Sequence, residues 1–189
     1  MKTATLAFAA ATLAVTGLAS CATLTTSDAV RAPEPAKPIT DVAGFYSGRW
    51  YEIGRTPLRL TDGCVAGYTD YLTKGSGLVE RDGCRAGTPM GKEKSVAGPL
   101  RILNPGQNTK VHVSYRLLGV WPAPRTYWML DHGPGWFIMS DPAFENLNLY
   151  TRDPRPSATQ VAQLNARVTA LGYDVRRLEY PATLPPGMN

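Results

Sequence analysis

Short apolar segments recur along the chain from residue 41 onward, and Gly, Pro and Asn separate them. Their spacing of about ten residues is typical of an all-β barrel or sandwich. The segments are rich in Tyr, Trp, Val and Leu, which favour strands. The pattern predicts eight strands, near residues 49–56, 64–73, 77–85, 90–99, 109–116, 125–131, 135–140 and 145–152.

Turn-forming sequences join several of these segments. Lys74-Gly75-Ser76-Gly77 places glycine where a tight turn needs a positive φ, and residues 104–106 and 132–135 punctuate the chain in the same way. Short connections make sequential strands pair antiparallel. The fold class predicted is therefore mainly β, an eight-stranded up-and-down antiparallel barrel.

One C-terminal α-helix interrupts the β pattern. Ser157 with Gln160 forms a capping box, and Gly172 is suited to end the helix. The sequence from Val175 to Tyr180 then predicts a short ninth strand. The helix carries a single apolar stripe for burial, made of Val161, Leu164, Val168 and Leu171.

The N-terminus has the layout of a secretory signal. Lys2 is the only charged residue before Asp28, and the apolar run from Ala4 to Leu18 is shorter than the roughly 20 residues that span a membrane. The run ends in Leu18-Ala19-Ser20-Cys21, which resembles the lipobox of bacterial lipoproteins. That resemblance implies cleavage before Cys21 and a diacylglycerol on its thiol. The alternative is an ordinary signal peptide followed by a coincidental cysteine.

These features divide the chain into a signal peptide (1–20), a lipidated N-terminus with a flexible Pro-, Ala- and Thr-rich tether (21–41), a barrel domain (42–182) and a C-terminal tail (183–189). Several acyl chains are sufficient for stable membrane attachment. Ala22 follows the lipobox where an Asp would indicate retention at the inner membrane. We therefore expect anchoring through Cys21 to the periplasmic face of the outer membrane.

The charge balance argues against nucleic acid as a partner. The chain has 20 basic and 15 acidic residues, and removal of residues 1–20 takes away only Lys2, which leaves a net charge of +4. The basic residues are scattered, without the dense patch or basic helix that nucleic-acid binding needs.

Two cysteines remain besides Cys21. Cys64 and Cys84 lie ten residues on either side of the Lys74–Gly75 turn region, which places them close together on adjacent strands. The periplasm permits a disulfide there. The alternative is a pair of buried free thiols.

The sequence carries little catalytic chemistry. It contains no Gly-x-Ser-x-Gly, His-Glu-x-x-His or Cys-x-x-Cys motif, and no phosphate-binding glycine loop before a helix. We therefore expect no catalytic residue, no metal and no cofactor. Five carboxylates show no spacing that suggests a pair: Glu52, Asp70, Asp82, Asp131 and Asp141.

Three motifs carry a family resemblance. The sequence has Gly48-Arg49-Trp50-Tyr51-Glu52-Ile53, then Leu130-Asp131, then a last barrel strand that ends at Arg152. In this order they resemble the lipocalins, over residues 42–182, and most closely the bacterial outer-membrane and apolipoprotein D branch. Asp131 departs from the Thr-Asp-Tyr form of the animal proteins. The resemblance implies that Arg152 lies over the indole of Trp50 and latches the closed end of the barrel.

The other end of such a barrel is expected to open on a ligand cavity. Strands near Tyr127 and Phe137 are apolar on both faces, so one face packs on the helix and the other lines the bore. The candidate wall residues are Tyr115, Tyr127, Met129 and Leu149, with packing in a solid core as the alternative. The connection 117–124 is expected at the open mouth, where Leu118, Val120 and Trp121 form an apolar rim.

These observations favour a lipid-binding protein over an enzyme. The expected ligand is a fatty acid, a lysophospholipid or a similar slender amphiphile. A lipocalin-type enzyme or stress scavenger that uses a reactive cysteine is one alternative, and a structural lipoprotein with a filled barrel is another. An exposed apolar rim also fits a partner surface or a homodimer.

Overall fold

The computed structural model describes residues 30–185. Its eight strands form one closed barrel in which each strand pairs antiparallel with the next and the last pairs with the first. The up-and-down barrel expected from the turn spacing is confirmed. The strands are β1 (Gly48–Arg55), β2 (Cys64–Lys74), β3 (Gly77–Ala86), β4 (Glu93–Ile102), β5 (Lys110–Leu117), β6 (Trp121–Gly133), β7 (Trp136–Ser140) and β8 (Leu147–Thr151).

The main departure in strand limits is at the β5–β6 hairpin. The expected loop 117–124 is reduced to a turn over residues 118–120, and β6 begins at Trp121, which pairs with Leu117. Leu118 and Gly119 both adopt positive φ angles, of 50° and 76°. A tight turn of this kind lets pairing continue to the tip, so the hairpin projects further than the sequence indicates.

Two α-helices accompany the barrel, α1 (Val42–Phe45) and α2 (Ala158–Ala170). The predicted ends of α2 are confirmed: the Ser157 hydroxyl accepts a hydrogen bond from the Gln160 backbone N–H, and Gly172 follows the helix with a φ of +88°. The predicted stripe faces the outside of the barrel, where Leu164 and Val168 are fully buried.

The predicted ninth strand over residues 175–180 is wrong. Val175–Arg177 forms a single 3₁₀ turn, and the Asp174 carboxylate accepts a hydrogen bond from the backbone N–H of Arg176. Only one β-bridge follows, between Glu179 and Arg55. These two residues exchange backbone hydrogen bonds, and the Arg55 guanidinium also donates to the Glu179 carboxylate at 2.7 Å. Backbone pairing with β1 is thus limited to this one residue.

The barrel wall separates two apolar clusters. The bore contains one of them, in which Val111, Val113 and Phe137 are completely buried. The other lies between the outer face of the barrel and α2, and includes Ile138 and Leu147. Because both faces of β7 are covered, its sequence from Trp136 to Met139 shows no polar alternation.

The described part of the predicted tether packs against the barrel. Residues 32–39, here termed the strap, run along the outside of the barrel from an open-end loop to a closed-end loop. The backbone N–H of Ala32 donates to Pro142 O at 3.1 Å, and that of Ile39 donates to Gln107 O at 2.9 Å. Burial of Ala32 and Ile39 holds the strap in place.

Other boundary predictions have different outcomes. In the predicted C-terminal tail, Leu184 is buried against Tyr51 and Tyr68. The signal peptide and Cys21 lie outside the described residues. Within residues 30–185, no helix has the length and apolar character needed to cross a membrane.

Candidate functional site

The closed end of the barrel is latched by Arg152 and Trp50. The Arg152 guanidinium carbon lies 3.7 Å from the centre of the Trp50 ring. The same guanidinium donates to the backbone carbonyls of Gly44, Ser47 and Arg49 at 2.7–2.9 Å. These carbonyls follow or lie within α1, so the latch fixes α1 across the barrel end.

Aromatic side chains fill the bore above this latch. Phe137 stacks on Tyr150 with ring centres 4.8 Å apart, and Trp50 meets Phe137 edge-on at 4.9 Å. Tyr46 and Tyr71 lie edge to face in the same layer at 5.1 Å. The closed half of the bore is therefore a packed core.

Three of the four predicted wall residues point into the bore. Tyr115 and Met129 are buried in the inner cluster, and Tyr127 packs against it. Met129 has no exposed surface, so it belongs to the packed layer. The prediction for Leu149 is wrong: its side chain points outward and packs with Leu164 beneath α2.

The opposite end carries the apolar rim. Leu118, Val120 and Trp121 are 92%, 63% and 68% exposed at the tip of the β5–β6 hairpin. Three further exposed apolar side chains lie in the neighbouring loops at this end, namely Leu58, Leu60 and Met90. Together these six residues are here called the rim.

Two carboxylates face each other across hydroxyl groups inside the bore, and the sequence reasoning missed them as a pair. Glu80 and Asp82 are two residues apart on β3, which places both on one face of the strand. The Tyr115 hydroxyl oxygen lies 2.6 Å from a carboxylate oxygen of each. Thr69 donates to the second oxygen of Asp82 at 2.6 Å. The i, i+2 spacing within a predicted strand was the available signal.

Both contacts of the Tyr115 hydroxyl are hydrogen bonds when one of the two carboxyls is protonated. A phenol carries a single proton and so donates to one carboxylate only. The other 2.6 Å contact requires a proton on the carboxyl oxygen. Burial, and then the charge of Asp82, raise the pKa of Glu80 well above its usual range. Burial likewise raises the pKa of Asp82.

A third buried acid, Glu52, provides a contrast. Arg55 donates to Glu52 at 2.9 Å and Asn148 donates to its other oxygen at 2.7 Å. Among residues 30–185, no Lys, Arg or His lies within ion-pair distance of Glu80 or Asp82. The acids in the bore thus differ from Glu52 in having no positive partner.

Cys64 and Cys84 form a disulfide between β2 and β3, as the sequence predicted. It lies toward the open end, because β2 begins and β3 ends there. The bond uses both thiols, which removes the nucleophile that a cysteine-based enzyme or scavenger would need. The described part of the chain has no group of three or more His, Cys, Asp or Glu arranged to hold a metal ion.

Comparisons with known proteins agree with this architecture. A family model described as a lipocalin-like domain matches residues 41–183. No curated protein is similar enough in sequence to count as a relative.

Solved structures with the same fold include three from insects. Insecticyanin from the tobacco hornworm Manduca sexta is 15% identical, with 80% of this chain and 86% of that chain covered and a TM-score of 0.59. The major allergen Per a 4 from cockroaches is 13% identical, with coverages of 82% and 96% and a TM-score of 0.61. The amine binding protein of Rhodnius prolixus, in its tryptamine complex, is 12% identical, with coverages of 80% and 85% and a TM-score of 0.60. At these identities the likeness establishes the fold alone.

Proposed function

Because this chain belongs to the lipocalin-like family, we propose that it binds a slender amphiphile, such as a fatty acid, a lysophospholipid or a molecule of similar size, through the open end of the barrel. Members of that family generally bind small hydrophobic ligands rather than catalyse reactions. The bacterial lipoprotein branch of the family, indicated by the lipobox and the Trp50 motif, is part of this proposal.

The rim is the observation that carries the proposal. Trp121 is 68% exposed at the open end, and Tyr115 lies in the inner cluster on the paired strand β5. An apolar chain that enters past the rim would therefore meet further apolar surface below it. Exposed apolar patches of this kind mark binding sites.

Hydrocarbon burial supplies enough free energy for such binding. Each buried methylene contributes about 0.8 kcal/mol, so about a dozen carbons reach the roughly 8 kcal/mol of micromolar affinity after association costs. The amine binding protein with tryptamine shows that a related barrel accommodates a small amphiphile.

The location proposed is the periplasmic face of the outer membrane, with Cys21 as the lipid anchor. The strap starts beside Pro142, which belongs to an open-end loop. Nine residues, 21–29, precede the described chain and span at most about 30 Å when extended. A lipid on Cys21 would thus hold the rim close to the membrane surface, from which a ligand could enter.

Fluorescence titration tests the binding function. The unacylated mature chain, residues 22–189, is delipidated and titrated with decanol and with lysophospholipid. We expect saturable changes at one ligand per barrel, and loss of most of the signal in Trp121→Ala. Leu118→Ser should weaken binding several-fold, whereas Leu103→Ser, an exposed leucine at the closed end, should leave it unchanged. Absence of saturable binding by a folded, lipid-free barrel would favour the filled-barrel structural protein.

A further inference from the structure

We propose that the bore is built for a cation, the ammonium group of a small amine-bearing amphiphile, held between Glu80 and Asp82 and the surrounding tyrosine rings. This inference rests on the proposed ligand-binding function and specifies the chemistry of its ligand. It places the charged end of the ligand inside the barrel and the apolar end toward the rim.

The first argument is the shortage of positive charge around the pair. Glu80 is fully buried and Asp82 is half-buried, and no described basic side chain lies within ion-pair distance of either. Elsewhere in the same barrel the buried Glu52 is matched by Arg55. Burial destabilises a carboxylate that has no positive partner, and an arriving cation would offset that cost.

The second argument is the presence of weakly paired polar atoms at the same place. Glu80 Oε2 and the Tyr71 hydroxyl are both buried, and neither makes a hydrogen bond of normal geometry with a described residue. Tyr71 lies on β2, on the other side of Glu80 from Tyr115, and the charge of Glu80 contributes to its raised pKa after burial. A weak hydrogen bond from Tyr71 opposes the effect of burial on the pKa of Glu80, so the two groups lie close together. Buried polar atoms are almost always fully paired, and the weak pairing of Glu80 Oε2 points to a polar ligand.

The third argument is the aromatic surround. Burial raises the pKa of Tyr127, and the charges of Asp82 and Glu80 raise it further, which places this phenol beside the pair. The face of an aromatic ring attracts cations, and the attraction is stronger when water is excluded. The phenols near the pair come from five elements or their flanks: Tyr46 after α1, Tyr71 on β2, Tyr115 on β5, Tyr127 on β6 and Tyr150 on β8.

The order of the pair along β3 gives the direction of entry. The strand runs from the closed end to the open end, so Asp82 lies nearer the rim than Glu80. A cation entering from the rim meets the more accessible Asp82 first and then the weakly paired oxygen of Glu80. An anionic head group in the same position would be repelled by the carboxylates of Glu80 and Asp82. A fatty-acid carboxylate is therefore excluded from the bore and would have to stay at the rim.

Three probes with the same ten-carbon chain test the inference on the unacylated mature chain: decylammonium, decanol and decanoate. At about pH 8 we expect decylammonium to bind at least about tenfold more tightly than decanol, and decanoate to bind most weakly. In the Glu80→Gln/Asp82→Asn variant the ratio of decanol to decylammonium dissociation constants should fall to about one. The control Asp62→Asn removes an exposed charge near the same end and should keep the advantage.

The wild-type protein provides a second test that needs no variant. As the pH falls from about 8 to about 5, the carboxyl pair gains protons while decylammonium stays charged. The ratio of the decanol dissociation constant to that of decylammonium should therefore decrease. Thr69 and the tyrosine phenols that also face the pair do not titrate in this range. The two other acids that interact with Asp82 are Asp70, which is paired with Arg49, and Glu52, which is paired with Arg55.

Equal affinities for the two probes at pH 8, or a preference unchanged by pH or by the double substitution, would overturn the cation site. Saturable decanol binding in that case would leave the proposed function intact, whereas failure of all three probes would remove both.

Discussion

Arg152 illustrates how one side chain closes a barrel. Its guanidinium presents a flat face to the Trp50 indole and its N–H groups to three carbonyls of the α1 region. Lysine carries the same charge but could not satisfy the ring and several carbonyls at once. Arginine at position 152 therefore combines an aromatic contact with the satisfaction of carbonyls at the end of α1.

Removal of this side chain should destabilise the fold without changing the ligand site. We expect Arg152→Ala to lower the free energy of unfolding by about 2 kcal/mol, from the lost cation–π contact and carbonyl hydrogen bonds. Urea denaturation measures this, and decanol affinity should stay within a few-fold. Arg155→Ala, an exposed neighbour, is the control and should have little effect. A large loss of affinity at unchanged stability would reverse the assignment of the barrel ends.

Glu80 and Asp82 should give the unliganded protein a distinctive pH dependence. The pKa of each is raised in the folded state, so between about 4 and the raised value the folded chain holds more protons than the unfolded chain. Their contribution to stability is thus present at low pH and is lost as the pH rises through the folded-state pKa. Urea denaturation across this range should show a flatter pH dependence in Glu80→Gln/Asp82→Asn than in the wild type. Parallel pH profiles would contradict the assignment.

For individual residues, the sequence was informative where the chemistry of a side chain allows few roles. The disulfide between Cys64 and Cys84 is the example. The sequence was misleading for Leu149, because β8 is covered on both sides and its apolar residues do not reveal which face is inner. The pairing of Asp82 with Glu80 was not predicted, because an acidic residue in a strand usually faces solvent. The alternation of β3 contained the information, but only the closed barrel shows that this face is the inner one.

At the scale of elements, the disulfide fixes the β2–β3 hairpin at the end where the barrel is open. Cys64 and Cys84 are separated by 20 residues. The neighbouring backbone is held as well, because the N–H of Gly87 donates to Gly63 O. The hairpin is thus connected at both its turn and its open end.

Loss of this disulfide should destabilise the domain, because the unfolded chain gains conformational entropy when the cross-link is absent. We expect Cys64→Ser/Cys84→Ser to lower the free energy of unfolding by about 3 kcal/mol in the loop-entropy model. Urea denaturation measures the change. The control is Cys21→Ser, which removes a cysteine that is not part of the disulfide. Thiol labelling of unreduced, denatured Cys21→Ser protein should find no free thiol, and two labelled cysteines would refute the pairing.

The elements themselves were largely predictable. Alternation and turns located all eight strands, and capping residues located α2, because these signals act within a few residues. The ninth strand failed because local hydrogen bonds to the carbonyls of Asp174 and Val175 fold residues 175–177 into a 3₁₀ turn. Beyond that turn only Glu179 reaches β1. The strap was missed for a different reason: Ala32 and Ile39 are isolated apolar residues whose burial depends on the barrel they contact.

At the scale of the whole molecule, the anchor remains a prediction from residues 18–21. We expect intact-mass analysis of the native protein to show an N-terminal Cys21 carrying acyl chains. Cys21→Ser should move the protein from the membrane fraction to the soluble periplasmic fraction, and Ser20→Ala is a neighbouring change for comparison. An unmodified N-terminus at another residue would show that the segment is an ordinary signal peptide.

The course of the strap has a consequence for how often the rim meets the membrane. If Cys21 carries a lipid, a strap fixed at Ala32 leaves a leash of at most about 40 Å between that lipid and the barrel. Within so short a radius, contact between the rim and the bilayer becomes an intramolecular event with an effective concentration of the order of millimolar. A weak rim–membrane contact would then suffice, and the barrel could release the surface and return to it repeatedly without leaving the lipid from which it loads.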